Sequence, residues 1–226
     1  MLDLAAISEL EPDESGIWTA PNQAGPILFP ASGNTRRQEF ELASFWYAHR
    51  GRVLEQLLKR YPAPSPFLDV GGGNGSVSLM LEGLGLQTVM LEPERNGALF
   101  ARKRGLQHVA CASLESARFI PGSFGSIGLF DVLEHIEDQA SFLARVAHLL
   151  RSTGRLYLSV PAYRGLWSAA DERSGHFRRY RLKELEAVVG KVGLEPLFST
   201  YVFSALVLPV WAFRHLPYRL GQKKAA

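Results

Sequence analysis

One cysteine stands in the 226 residues, which excludes a disulfide framework and a cysteine metal cluster; no metal is expected. Cys111 ends an apolar run and reads as a small buried filler. Charge of one sign is scarce as well: 25 Lys and Arg against 22 Asp and Glu leave +3, with a pI near 9.1. That mild excess suits an anionic small molecule or a membrane surface and is too weak to mark a nucleic-acid binder, so no nucleic-acid partner is expected. Long apolar runs are missing too. The longest, Tyr201 to Phe213, is broken by Pro209 and falls short of the roughly 20 residues that span a bilayer. Met1-Leu2-Asp3-Leu4 is acidic where a signal peptide is basic, so cytoplasmic residence is the expectation. There are no internal repeats and no low-complexity stretches. The remaining composition, 46% hydrophobic and 21% charged, fits a single globular domain over 1–226 with a sizeable core.

The chain is organised around Pro66-Phe67-Leu68-Asp69-Val70-Gly71-Gly72-Gly73-Asn74-Gly75-Ser76. An apolar strand ends near an aspartate, a glycine-rich turn follows, and Val77-Ser78-Leu79-Met80-Leu81 begins a helical pattern. Gly71, Gly73 and Gly75 allow positive φ and a close approach of ligand to backbone. Neither frame completes the dinucleotide pattern G-x-G-x-x-G, because Ser76 or Ser78 holds its last position. The carboxylate of Asp69 would repel a pyrophosphate and suits a cation.

Residues 1–37 carry Pro12, Pro21, Pro26 and Pro30 and read as an extended arm, with short strands at Ile17-Trp18 and Ile27-Leu28-Phe29. A cap helix follows over 38–61, closed by Pro62 and Pro64, and its Phe45-Trp46-Tyr47-Ala48-His49-Arg50 is unusually aromatic. Over 66–203 strands and helices alternate: strands at 88–91, 108–111, 126–130 and 155–160, and a helix from about Phe142 to Leu150 ended by Gly154. This predicts an α/β fold, a Rossmann-like doubly wound, mostly parallel sheet with helices on both faces, whose ligands collect at the strands' carboxyl ends. Asp69, Glu92, Ser113, Phe130 and Asp131 all fall there. Glu92, ending the second strand of this core, can accept from ribose hydroxyls.

Leu68-Asp69-Val70-Gly71-Gly72-Gly73-Asn74-Gly75, Leu91-Glu92-Pro93, Phe130-Asp131-Val132-Leu133-Glu134-His135-Ile136 and Gly154 to Pro161 resemble, in order and spacing, the motifs of class I S-adenosylmethionine (SAM) methyltransferases. Gly175-His176-Phe177-Arg178-Arg179-Tyr180 and the aromatic helix resemble a narrower, small-molecule subgroup, and Leu133-Glu134-His135 is similar to the ubiquinone-biosynthesis O-methyltransferases. The resemblance implies SAM as cofactor, with Asp69, Gly71, Gly73 and Gly75 on its methionine part and Glu92 on the ribose. It puts Ser113 and Leu114 beside adenine and Phe130 beside the thioether. Trp46 and Arg50 are expected to cover the methionine end, since a sulfonium favours aromatic faces. Two departures stand out: Ser113 occupies a position that is often an aspartate, and the family's seventh, antiparallel strand has no evident counterpart after Leu197 to Phe203.

Phe130-Asp131-Val132-Leu133 lacks the signatures of the adenine-, glutamine- and cytosine-methylating enzymes. The resemblance of Leu133-Glu134-His135 to the O-methyltransferases then implies a small-molecule or lipid-/glycan-linked acceptor, methylated at oxygen. His135 is the candidate base and His176 a second catalytic candidate; a helix-start histidine bound to backbone is the structural alternative. Arg178, Arg179 and Tyr180 suit an anionic substrate, unless the arginines cap the next helix or pair with Asp171 and Glu172. An N- or RNA methyltransferase, and a SAM-binding protein without transfer activity, remain rivals. Residues 204–226 form an apolar segment and basic tail, whose 205–220 stretch would contact a membrane periphery or a second copy, or else fold back under the sheet.

Overall fold

The computed structural model describes residues 2–21 and 45–221. The expected strand at Ile27 to Phe29, the start of the cap helix, the side chains of Trp46 and Tyr47 and the lysines of the basic tail lie outside the described residues. The chain divides into two compact units, residues 1–130 with 148–158, and 131–147 with 159–226.

The first unit carries a seven-stranded, mostly parallel sheet. Its strands are β1 (Glu11–Pro12), β2 (Trp18–Thr19), β3 (Phe67–Val70), β4 (Thr88–Leu91), β5 (His108–Cys111), β6 (Phe124–Phe130) and β7 (Leu150–Ser159), in the order β1-β2-β5-β4-β3-β6-β7. Every residue of β3, β4 and β6 is buried, as expected of parallel strands covered on both faces. The helices are α1 (Phe45–Arg60), α2 (Ser76–Gly83) and α3 (Arg95–Lys103). Leu54 and Leu58 of α1 pack with Phe67, Leu81, Phe130 and Tyr157. Ala98 and Ala101 of α3 pack with Ile17, Met90, Leu106, Val109 and Cys111. A fully buried leucine or phenylalanine among these contributes about 1.5–3 kcal/mol.

Seven strands are reached by an unexpected route. β2 adds in parallel to β5, pairing Trp18 with Ala110, and β1 returns antiparallel to β2. The described part of the arm is therefore sheet edge, anchored by Leu4, Leu10 and Ile17, all buried. Residues 197–203 form no strand. β7 also begins at Leu150, ahead of the Arg155 expected from sequence. Gly154 ends no helix: it sits inside the strand, where a Cβ would lie 2.9 Å from the Arg151 carbonyl oxygen.

The second unit holds α4 (Gln139–Leu149, whose last two residues count with the first unit), α5 (Ala169–Arg173) and α6 (Leu182–Gly190). It ends in a helical run from Ser204 to Arg219 that contains a π-helical turn at Trp211–His215. None of that run is buried, with Leu208 76% and Phe213 79% exposed. His215 Nδ1 lies 2.8 Å from the Trp167 carbonyl, and the Tyr218 hydroxyl donates to Glu172. These contacts fasten the run, while Leu208, Trp211, Phe213 and Leu216 stand exposed.

Candidate active site

In the first unit the glycine loop joins β3 to α2. Gly71, Gly73 and Gly75 all take positive φ. At Gly75, the α2 N-cap, a Cβ would also stand 2.6 Å from Leu106 Cδ1. Gly72, singled out by no motif, is required for another reason: its Cβ would lie 2.4 Å from Met90 Cγ. The amides of Gly71 and Gly72 donate to the Leu91 carbonyl at 2.7 and 3.3 Å, and Gly73 donates to Glu92 Oε2 at 2.8 Å. Glu92 Oε1 accepts from the Glu94 amide at 2.9 Å. Glu92 thus ties the loop to the end of β4.

Asp69 lies beneath the loop, 1% exposed, and accepts from Ser78 Oγ at 2.6 Å. Burial pushes its pKa up to about 6, against the Ser78 hydrogen bond and the positive charge of Arg50, which both pull it down. A cationic group beside it would favour the charged form further. Ser113 is exposed and forms a local turn, accepting from the Ser116 amide at 3.0 Å, while Leu114 is buried. The Phe130 ring belongs to the core cluster. Arg50 lies on α1 together with His49, whose ring stacks on Phe45. Sequence reasoning missed Glu94, buried at 3% exposure, which caps α3 by accepting from Asn96 and Gly97. It also missed Arg104, which donates to the Asn74 carbonyl and Ser76 Oγ.

The second unit brings the two candidate histidines together. Leu133–His135 is a 3-10 turn, and the Phe177 amide donates to the Glu134 carbonyl at 2.8 Å. The imidazoles of His135 and His176 cross edge to face, centroids 4.7 Å apart. The hub is Asp171, 1% exposed, whose role sequence reasoning had weighed only as an ion-pair partner. His176 Nδ1 lies 2.9 Å from its Oδ1; Arg179 donates to Oδ1 at 2.7 Å and to Oδ2 at 3.1 Å; the Ser168 amide donates to Oδ2 at 2.9 Å. Burial alone would raise its pKa. The bonds to His176 and Arg179, the Arg179 charge and the Ser168 amide outweigh that and hold it well below the usual carboxylate range. The signal that could have found it is Ser168-x-x-Asp171, a capping box.

Arg179 is therefore committed to Asp171 and, through Nη1, to the Ala162 carbonyl; Arg178 donates to the Glu137 carbonyl. Both, with Arg164, Trp167, Phe177 and Tyr180, line a cavity of about 490 Å³. Tyr180 is buried and donates to Gln139 at 2.8 Å. Burial pushes its phenol up to about 12, aided by Glu134 and opposed by Arg178.

The run β5-β4-β3-β6-β7, the glycine loop and the acidic end of β4 define a class I SAM-dependent methyltransferase fold. Asp69, the positive-φ glycines and Glu92 fit that cofactor: a buried carboxylate for its ammonium, bare backbone, and an acceptor for its ribose. The chain belongs to the methyltransferase-domain family, whose profile matches residues 37–197. A probable SAM-dependent methyltransferase of Mycobacterium tuberculosis is 24% identical over 61% of this chain and 50% of its own length. A ubiquinone biosynthesis O-methyltransferase of Xanthomonas oryzae pv. oryzae is 29% identical over 58% of this chain and 64% of its own length. The chain thus spans half to under two thirds of these relatives. Among solved structures, phosphoethanolamine N-methyltransferase 2 of Haemonchus contortus aligns with a TM-score of 0.60 at 19% identity, over 74% of this chain and 43% of that one. The cyclase SpnF shares the fold as well, with a TM-score of 0.54 at 16% identity over 67% of this chain and 60% of that one.

Proposed function

We propose that the protein transfers a methyl group from SAM to a hydroxyl oxygen of a small or lipid-/glycan-linked acceptor. The observation that carries this reading is the pair of histidines, His135 and His176, with His176 oriented by a buried, charge-satisfied aspartate. Methyl transfer is an in-line displacement, so alignment supplies much of the rate. A hydroxyl acceptor must also lose its proton, and an imidazole does this near neutral pH. In the step, the acceptor O–H bond breaks with its proton passing to the histidine cluster. The S–CH3 bond breaks as the O–CH3 bond forms, and the sulfur keeps the electron pair. Asp69, Gly71 to Gly75 and Glu92 hold the donor, with Arg50 from α1 and Ser113 and Leu114 from the β5 end as further contacts.

The cavity lined by Arg164, Arg178 and aromatic rings supports an acceptor with an anionic and an apolar part. The exposed apolar run from Ser204 to Arg219, carrying Arg214 and Arg219, supports an acceptor presented at an anionic lipid surface; the other occupant of that face would be a second copy of the chain. The similarity to a ubiquinone biosynthesis O-methyltransferase favours oxygen over nitrogen. The test is S-adenosylhomocysteine release from the full chain supplied with lipid extracts and polar metabolites. Release that requires acceptor and falls at least tenfold in His135→Ala supports the reading. SAM binding with no release under any extract would mark a SAM-binding protein without transfer activity.

A further inference from the structure

The second unit places three metal-capable side chains around one point. Glu134 and His135 are neighbours on the 3-10 turn after Asp131, and the Phe177 amide bond to the Glu134 carbonyl draws His176 alongside. Ligand-capable atoms of Glu134, His135 and His176 all lie within 4.8 Å of one another. We propose that these three side chains form a binding site for a first-row divalent transition-metal ion of the Zn2+, Mn2+ or Co2+ kind.

The donor set is the first argument. Two imidazoles and one carboxylate are a common set for zinc and its neighbours, leaving a coordination position open for water or substrate. Size is the second. Three atoms at the corners of a triangle with 4.8 Å edges lie 4.8/√3, or about 2.8 Å, from its centre. Zinc bonds to nitrogen and oxygen run roughly 2.0–2.2 Å, so small side-chain rotations close the site. The third argument lies behind His176. Its Nδ1 faces Asp171 Oδ1 at 2.9 Å, which assigns the ring proton to that nitrogen and the lone pair to Nε2. Asp171 is itself locked by Arg179 and Ser168, so the imidazole is held in a fixed plane. Glu134 is only 1% exposed, so its carboxylate lies inside the protein with the two imidazoles rather than in solvent.

For its role this site rests on the transfer reading. A hydroxyl that binds the ion would lose its proton more readily near neutral pH; with the ion bound, solvent takes the proton that the histidines take in its absence. For its existence the site needs neither SAM nor acceptor, and the test uses neither.

The full chain, stripped of metal by chelator, is titrated with Co2+ while visible absorption is followed, and with Zn2+ by calorimetry. The expected result is a saturable Co2+ spectrum at one equivalent, bleached by Zn2+. Glu134→Gln, His135→Ala and His176→Ala each weaken binding by tenfold or more, and Asp171→Asn weakens it ten- to hundredfold by releasing the ring. His148→Ala, an exposed histidine elsewhere, leaves binding unchanged. Should Glu134→Gln fail to fold, His176→Ala, at a side chain 16% exposed, carries the test. No saturable spectrum in the parent protein, or binding as tight as the parent's in both histidine variants, overturns the proposal. Metal binding without S-adenosylhomocysteine release counts against the transfer reading and leaves the site standing.

Discussion

Asp69 and Asp171 are equally buried, each 1% exposed, and they titrate in opposite directions. Asp171 has a two-pronged arginine, a histidine and a backbone amide from its own chain, so its charge is fully answered inside the fold. Asp69 has one serine hydroxyl and the field of Arg50, and burial wins. Burial alone does not say what a carboxylate is for; its partners do. The answered one organises the protein around itself. The under-answered one, beneath a bare glycine loop, is the one a cationic ligand can stabilise.

The comparison breaks most visibly at Asp171. Asp171→Ala leaves Arg179 largely buried without its anion, and urea unfolding should show a loss of about 3–5 kcal/mol. A loss under 1 kcal/mol would mean that the hub is ornamental.

Asp69→Asn should do the reverse to the free protein, stabilising it at pH 7 by up to about 3 kcal/mol, since a rise from 3.8 to about 6 amounts to roughly two units at 1.36 kcal/mol each. The sign follows from linkage. Between pH 4 and 6 the folded state holds a proton that the unfolded chain has released, so parent stability falls as pH rises through that window and is flat above it. The variant should lose that slope in a series of melting curves. Its affinity for SAM should drop. In the parent, calorimetry should find affinity climbing with pH to about 6 and then levelling, because a cation binds the ionised form.

Glu92→Ala removes charge-assisted hydrogen bonds at the neighbouring strand end and should weaken SAM binding by about 1–3 kcal/mol. Unchanged affinity would confine Glu92 to tying Gly73 in place. The smallest expected effect is at the opposite extreme of burial: Leu208→Ser with Phe213→Ser should move stability by about 0.5 kcal/mol or less per site. The same pair should abolish flotation with anionic liposomes. A large loss of stability there would make the run part of the core instead.

The fold was legible in the sequence wherever apolar strands alternate with helical patterns, and the glycine loop announced itself through Asp69 and its glycines. Three things escaped. The strand expected at Ile17-Trp18 overlaps β2, but runs of two residues carry no periodicity that shows β1 or the pairing of β2 onto β5, so an arm became sheet edge. β7 starts before Gly154, because a glycine can sit within a strand where a Cβ would meet neighbouring backbone. The histidine cluster joins segments far apart in the chain through one backbone hydrogen bond, Phe177 to Glu134, which no local pattern encodes. The motifs nominated His135 and His176 separately; their meeting is a tertiary fact.

The outermost strand has a consequence of its own. An exposed sheet edge is a template for another chain, and unpaired N–H and C=O groups there invite edge-to-edge growth. Here the edge is Glu11–Pro12, both exposed. The proline has no N–H to offer an incoming strand, and the carboxylate keeps its water. A second sheet arriving on this side finds one donor fewer to pair with, so the segment that lengthens this sheet also blunts that edge, while β7 forms the opposite one.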